Sequence, residues 1–291
     1  MKNIILLLLL LLVTAACKES EKQRITRLVQ AWDGKEIIFP DDAIYTIYGK
    51  DTVAYPRPNA AYTIVSYIDS VGCTSCKLQL MRWSEYMHQL DSISSKEIAF
   101  QFIFHPKNTR DLIHILRRDR FDFPVWLDQA ELFNKANALP EDRMFHTFLL
   151  DTKHRVVALG NPVENPKIKE LYQKVITGKV EVRPALPTTS VVISKKEINL
   201  GEFDWTKEQE QKFSLQNTGK NALVVQDVIA SCACIKVSYS REPVQPGHEL
   251  EFVVLYSAIS PEYIHESLKI YANTEASPLV IKVKGESREE N

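Results

Sequence analysis

Apolar and polar positions recur along this chain with two different periods, and the change of period divides it. Ile25, Leu28, Val29 and Trp32 fall at i, i+3, i+4 and i+7. That spacing predicts an amphipathic helix over 21–33, closed by Gly34. A strand-like stretch follows at Ala43 to Tyr48, and "A-Y-T-I-V-S-Y-I-D" (Ala61 to Asp69) predicts a buried strand. Leu80, Trp83, Met87 and Leu90 return to helical spacing. Glu97 to His105 predicts another strand, with a helix after Pro106 and Asn108 running to about Arg120. Phe123 to Asp128 predicts a short strand and Gln129 to Asn137 a helix. "H-T-F-L-L-D" and "R-V-V-A-L-G-N" form a hairpin around Thr152 and Lys153, and Lys167 to Thr177 predicts a closing helix.

Beyond this point only strand patterns remain. "T-G-K-V-E-V-R-P-A-L-P-T-T" (177–189) is punctuated by Gly178, Pro184 and Pro187 and marks a break near residues 178 to 190. After it come "S-V-V-I-S", "K-E-I-N-L-G-E-F" and a strand–turn–strand run through Asn217-Thr218-Gly219 to "S-C-A-C-I". A Pro246-Gly247 turn, an alternating "E-L-E-F-V-V-L-Y" and two final strands complete the chain. Short strands at this spacing suggest an Ig-like sandwich. The expected fold class is an α/β domain followed by an all-β Ig-like sandwich. The expected organisation is a leader over 1–16, a tether and helix over 17–39 and the α/β domain over 40–180. A linker over 181–187, the β domain over 188–287 and a tail over 288–291 follow.

The N-terminus carries an address. Met1-Lys2-Asn3 precedes an unbroken apolar run of ten, Ile4 to Val13, and then Thr14-Ala15-Ala16-Cys17. A basic start, a short apolar core and small residues describe a secretory signal. Spanning a bilayer as a helix takes roughly 20 apolar residues, so this run is too short. Cys17 after Ala15-Ala16 resembles a bacterial lipobox, although Thr14 stands where Leu is usual. The resemblance implies lipidation of Cys17, palmitate among its chains, and a protein tethered to a membrane. The expected place is the cell envelope of a Gram-negative bacterium, on the periplasmic side or the cell surface. The other reading is an ordinary signal peptide with a chance cysteine.

Composition adds limits. The chain has 291 residues, 45% hydrophobic and 25% charged, as in globular proteins. Removal of the leader leaves about 275 residues, enough for two domains with their own cores. A formal net charge of −1 argues against a nucleic-acid partner.

Export changes how the cysteines read, because disulfides persist outside the cytosol. Four of the five cysteines lie beyond Cys17, as two close pairs: Cys73 and Cys76 in C-x-x-C, Cys232 and Cys234 in C-x-C. The first pair sits at a strand-to-helix junction. A zinc clip there lacks ligands, since no second C-x-x-C and no His pair at i, i+4 completes a set of four.

"I-D-S-V-G-C-T-S-C", "F-P-V-W-L-D" and "T-F-L-L-D-T-K-H-R-V-V" together resemble membrane-tethered thioredoxin-like proteins of the TlpA/ResA type. The likeness covers roughly residues 40–178. It implies that Cys73 attacks a disulfide in a partner protein and that Cys76 resolves the mixed disulfide. A helix N-terminus would stabilise the Cys73 thiolate, which is the nucleophile. The expected partners are protein thiols and disulfides of the envelope. A purely structural Cys73–Cys76 bridge is the competing reading.

The sequence departs from that family at one place. Where the family has a cis-proline before the "T-F-L-L-D" strand, this chain has Phe145, followed by His146. A cis bond before a non-proline costs about 2.5–4 kcal/mol, so a trans bond is expected. His146 would then lie near Cys73, lowering its pKa or ligating a metal beside it; the other reading is a surface histidine on a drifted loop.

The β domain, with F-x-x-x-N-T-G, S-C-x-C, P-G and a final N-T…I-x-V-x-G, resembles a Bacteroidota Ig-like domain of unknown function related to PapD-like and ASH domains. That group usually has S-C-G-C-T; Ala233 and Ile235 stand here. On a strand, Cys232 and Cys234 would face the same side with Cα atoms about 7 Å apart, the upper limit for a disulfide. A bridge therefore requires a bend, against which Ala233 in place of Gly speaks. Three readings stay open: a bridge that serves as substrate for Cys73, a Cu(I) site of two thiolates, or two small buried residues.

Three functions follow. The first is a membrane-anchored periplasmic thiol–disulfide oxidoreductase with the Ig-like domain as accessory or docking surface. The second is a binding or scaffold lipoprotein with an inert disulfide. The third is a copper-handling metallochaperone using Cys73, Cys76 and His146 or the C-x-C pair. The expectation for the first is no cofactor and no resident metal, with Cu(I) belonging to the third.

Overall fold

The structure is a computed structural model and describes residues 20–55, 60–69, 78–179 and 186–289. No helix among these residues is long and apolar enough to cross a membrane. The expected leader, residues 1–16, and Cys17 lie outside the described residues.

The chain opens with helix α1 (Glu21–Trp32), started by a capping box in which Ser20 and Gln23 satisfy each other's backbone N–H groups. Strands β1 (Tyr45–Ile47), β2 (Asp51–Val53) and β3 (Tyr62–Ile68) precede helix α2 (Leu80–Ile93). Then come β4 (Ile98–Phe104), α3 (Thr109–Arg118), β5 (Val125–Leu127) and α4 (Leu132–Asn137). A 3₁₀ turn (Arg143–Phe145), β6 (Thr147–Leu150), β7 (Val156–Leu159) and α5 (Pro166–Thr177) end this part. Asn165 caps α5, Pro166 fills its first turn and Gly178 closes it with φ 68°.

The seven strands form one mixed sheet in the order β2-β1-β5-β4-β3-β6-β7. β3 is interior, parallel to β4 and antiparallel to β6. Its mostly apolar sequence, broken only by the buried Thr63 and Ser66, is explained by burial on both faces. Ile64 joins Trp83, Phe102, Leu116 and Tyr172 in the core under α2, α3 and α5. Val65 and Tyr67 join Trp32, Phe133 and Phe148 in the core under α1 and α4. Trp32 stacks on Phe148 with ring centroids 5.2 Å apart, which fixes the amphipathic face of α1 to the sheet. Full burial of each such side chain contributes about 1.5–3 kcal/mol.

The second part is all-β: β8 (Val191–Ile193), β9 (Glu197–Asp204), β10 (Gln209–Asn217), β11 (Val225–Ala230), β12 (Ile235–Tyr239), β13 (Glu249–Tyr256), β14 (Glu262–Ala272) and β15 (Leu279–Arg288). They form two four-stranded sheets, β12-β13-β10-β8 and β11-β14-β15-β9. Both sheets contribute to one core that includes Phe213, Phe252, Leu268 and Ile281. The α/β part followed by a β part agrees with the change of period in the sequence.

The Asn-Thr-Gly turn has a structural reason. Asn217 is fully buried. Its amide donates to the carbonyls of Asn221 and Val244, and its Oδ1 accepts from Thr189. Gly219 follows because a Cβ there would lie 2.1 Å from Thr189 Oγ1. Asn273, in the second Asn-Thr, does similar work: its side chain binds Val224 N–H and the carbonyls of Pro187 and Ala222.

Candidate functional site

Cys73 and Cys76 lie outside the described residues, so their geometry is not part of the site described below. Their flanks are described. β3 ends at Ile68, followed by Asp69, and α2 starts at Leu80 after Gln79, which has left-handed φ 44° and no side-chain cap. Residues 70–77 therefore join the C-terminal end of an interior strand to the start of α2.

The turn before β6 is buried rather than drifted. The cis peptide bond among the described residues is Ser277–Pro278, so the bond preceding Phe145 is trans. Phe145 closes the 3₁₀ turn and is only 5% exposed in the core under α1 and α4. His146 is buried too, which rules out the alternative reading of a surface histidine on a drifted loop. Its Nε2 is 2.7 Å from the Pro140 carbonyl, and its ring packs edge-on against Tyr67. A nitrogen donating to a carbonyl has no lone pair for a metal, so Nε2 is not a ligand here. Two ion pairs hold the same turn: Arg143 with Asp69 at 2.7 Å, and Asp142 with Arg24 at 2.7 Å. Asp69 is the residue that leads into the C-x-x-C segment, so this turn is tied to its entrance.

Cys232 and Cys234 form a disulfide, with Cα atoms 5.2 Å apart. They are not on a strand. Residues 231–234 form the bend between β11 and β12, and this shortens the expected separation. Ala233 takes part in the bend without a positive φ, so glycine is not required and the expectation drawn from Ala233 is corrected. Cys232 is fully buried and Cys234 partly exposed. The bend is held by Ser231, whose N–H donates to Ser267 O at 2.9 Å and whose hydroxyl accepts from Ser267 N–H at 2.8 Å. That hydroxyl also donates to Glu266 in a short hydrogen bond. Both sulfurs and a Glu266 carboxylate oxygen lie within 4.8 Å of one another. As a disulfide the sulfurs offer no thiolate; reduced, they would make a soft-metal donor set with one oxygen.

The β part packs against the start of α2. Gln79 Nε2 donates to the Ala230 carbonyl at 2.9 Å. Arg82 Nη2 meets Asp227 Oδ2 at 2.6 Å, and its Nε donates to the Val163 carbonyl at 2.8 Å. Tyr271 donates to the Glu164 carbonyl at 3.2 Å. Gln79, Glu164, Ile229, Ala230, Ser231 and Lys269 line a cavity of about 180 Å³ at this contact, with Ser267. Burial pushes the Glu164 carboxyl up, against the pull of Lys269, Arg82 and a hydrogen bond with Asn161. The contact thus joins a residue three after Cys76 to a residue two before Cys232. Sequence reasoning missed Gln79, Arg82, Glu164, Asp227 and Glu266. The one local signal was Asp227, a charge inside the strand "V-Q-D-V-I-A", whose other residues are apolar except Gln226.

Residues 191–287 match the family model of a protein of unknown function, DUF1573. The matched segment runs from β8 to within β15 and contains the Cys232–Cys234 bend. No curated protein is similar to the sequence. Among solved structures, the chain is similar to a protein of unknown function from Porphyromonas gingivalis, at 18% identity and TM-score 0.32. That likeness covers 36% of this chain and 50% of the other, so the chain spans about half of its length. The thioredoxin domain of a thiol-disulfide oxidoreductase from Bacteroides vulgatus is similar at 13% identity and TM-score 0.38, covering 50% of this chain and 97% of that one. An ASH / PapD-like domain of human CEP192 is similar at 13% identity and TM-score 0.32, covering 39% and 95%.

Proposed function

We propose that this protein is a lipid-anchored thiol–disulfide oxidoreductase of a Gram-negative cell envelope, with a thioredoxin-like α/β domain (40–180) and an Ig-like accessory domain (188–287). Cys73 attacks a disulfide in an envelope protein; Cys76 resolves the mixed disulfide and leaves the C-x-x-C pair oxidised, or the reverse sequence runs from the oxidised pair. Cys17 carries the lipid. The observation that supports this reading is that interior strand β3 ends at Ile68 and α2 starts at Leu80, the two described elements that flank Cys73 and Cys76 in the sequence. The test is reduction of insulin by the purified protein, with a redox titration of the wild type and of C73S/C76S. Turnover that disappears in C73S/C76S is expected. If Cys73 of the reduced, folded protein does not react with an alkylating agent, the reading fails. A C76S variant would hold the mixed disulfide, and mass spectrometry of the adduct would identify the partner.

One observation favours a second reading, a binding or scaffold lipoprotein with an inert bridge. The place where the family has its substrate-docking proline is closed by the buried Phe145. The same alkylation experiment separates the two.

A further inference from the structure

We infer that Cys232–Cys234 is itself a redox-active disulfide, which accepts two electrons from a dithiol presented at the contact between α2 and β11. Four observations carry this. The bridge closes a ring across a sequence separation of 2, where a cross-link restricts the unfolded chain least, so a staple has little to do there. It sits in a β part whose two sheets already share a large apolar core. One of its sulfurs belongs to a partly exposed residue, Cys234, which gives a thiolate access. The bend that holds it is built from specific polar ties, Ser231 to Ser267 and Glu266, and borders the cavity that Gln79, just before α2, helps to line.

The exchange balances. A thiolate of the dithiol attacks Cys234 Sγ; the Cys232–Cys234 bond breaks and Cys232 leaves as a thiolate that takes up a proton. The second thiol of the donor, deprotonated, attacks its own sulfur in the mixed disulfide and expels Cys234, which is protonated in turn. The donor becomes a disulfide, and Cys232 and Cys234 become two thiols. The donor dithiol has two sources, the chain's own Cys73 and Cys76 or a separate protein. The inference does not require Cys73 to be reactive.

The test uses the oxidised full-length chain without its leader, treated with dithiothreitol under native conditions, quenched in acid and alkylated. Mass spectrometry then reads the peptide carrying Cys232 and Cys234. Complete reduction without denaturant is expected. A bridge that stays oxidised in the folded protein and opens only in denaturant overturns the inference. A C73S/C76S variant, checked for folding by its denaturation midpoint, distinguishes the sources. Reduction of Cys232–Cys234 slowed at least tenfold in that variant identifies the chain's own C-x-x-C as donor. An unchanged rate shows that a dithiol from outside the chain reaches the bridge directly, without Cys73 and Cys76. Failure of Cys73 alkylation together with native reduction of Cys232–Cys234 would sink the proposed function and leave this inference standing.

Discussion

Arg82 and Asp227 form an ion pair of 2.6 Å that ties α2 of the α/β part to β11 of the β part. The same guanidinium also donates to the Val163 carbonyl, so one side chain satisfies groups on two neighbouring segments. Replacing it with alanine would leave Asp227 and Val163 without these donors. Charge-assisted hydrogen bonds contribute about 1.5–3 kcal/mol. Both side chains are 26% exposed, so the lower end of that range is expected for R82A. Faster amide hydrogen exchange in β11 should accompany the loss. Unchanged exchange in β11 would mean the contact does not hold the two parts together.

Asn217 offers a sharper stability test. Its carboxamide is fully buried and serves the Asn221 and Val244 carbonyls and the Thr189 hydroxyl at once. Alanine would strand these groups inside the protein, each at about 1–3 kcal/mol. N217A is therefore expected to lower the stability of the β part by roughly 3 kcal/mol or more, read from urea denaturation. A loss below about 1 kcal/mol would show that water replaces the amide.

Much of this architecture was legible in the chain. Helices with a clear apolar stripe, such as Ile25 to Trp32, and mostly apolar strands, such as the one within Ala61 to Asp69, were found within a few residues. β12 was not separated from the strand before it, because "S-C-A-C-I" carries no glycine or proline to announce a turn. The bend there depends on Ser231 and its tertiary partners Ser267 and Glu266, more than 30 residues away in sequence. The replacement of a family proline by Phe145 was visible, but its burial was not. That burial rests on contacts with strands and helices far along the chain. Arg82 lies on a helix whose visible signal was its apolar face, and nothing local marks it as a link to Asp227.

Phe145 should behave as a core residue. It is 5% exposed and packs in the cluster of Trp32, Tyr67 and Phe148. F145A is expected to cost about 3–5 kcal/mol, as for other large-to-small changes at buried aromatics. Denaturant midpoints of wild type and variant measure it. A loss near zero would restore the picture of an exposed, drifted loop.

Glu266 controls the reactivity expected of the reduced C-x-C pair. A carboxylate this close to both sulfurs repels negative charge on either of them, which slows their attack on an alkylating agent. E266Q removes that charge while keeping an acceptor for Ser231. The reduced variant should therefore be alkylated at Cys232 and Cys234 several-fold faster than wild type at neutral pH. Equal rates would place the carboxylate too far from the sulfurs in solution to matter.

Glu164 predicts how the protein responds to pH. Burial raises its pKa above the usual 4.5, the strongest influence on it, and Lys269, Arg82 and Asn161 only partly offset this. The folded chain thus keeps a proton that the unfolded chain has already lost. Stability rises with pH only where the unfolded state holds more protons, so here this group acts in the other direction. Its contribution is most favourable below pH 4.5 and declines as pH rises through its folded value, above which the full cost of a partly buried carboxylate is present. Glutamine keeps the shape and removes the charge. E164Q should match wild type near pH 4 and be the more stable of the two at pH 7, with denaturation midpoints across that range as the measurement. A variant less stable than wild type at pH 7 would mean that the attraction of Lys269 and Arg82 outweighs burial and that the carboxylate clamps the contact.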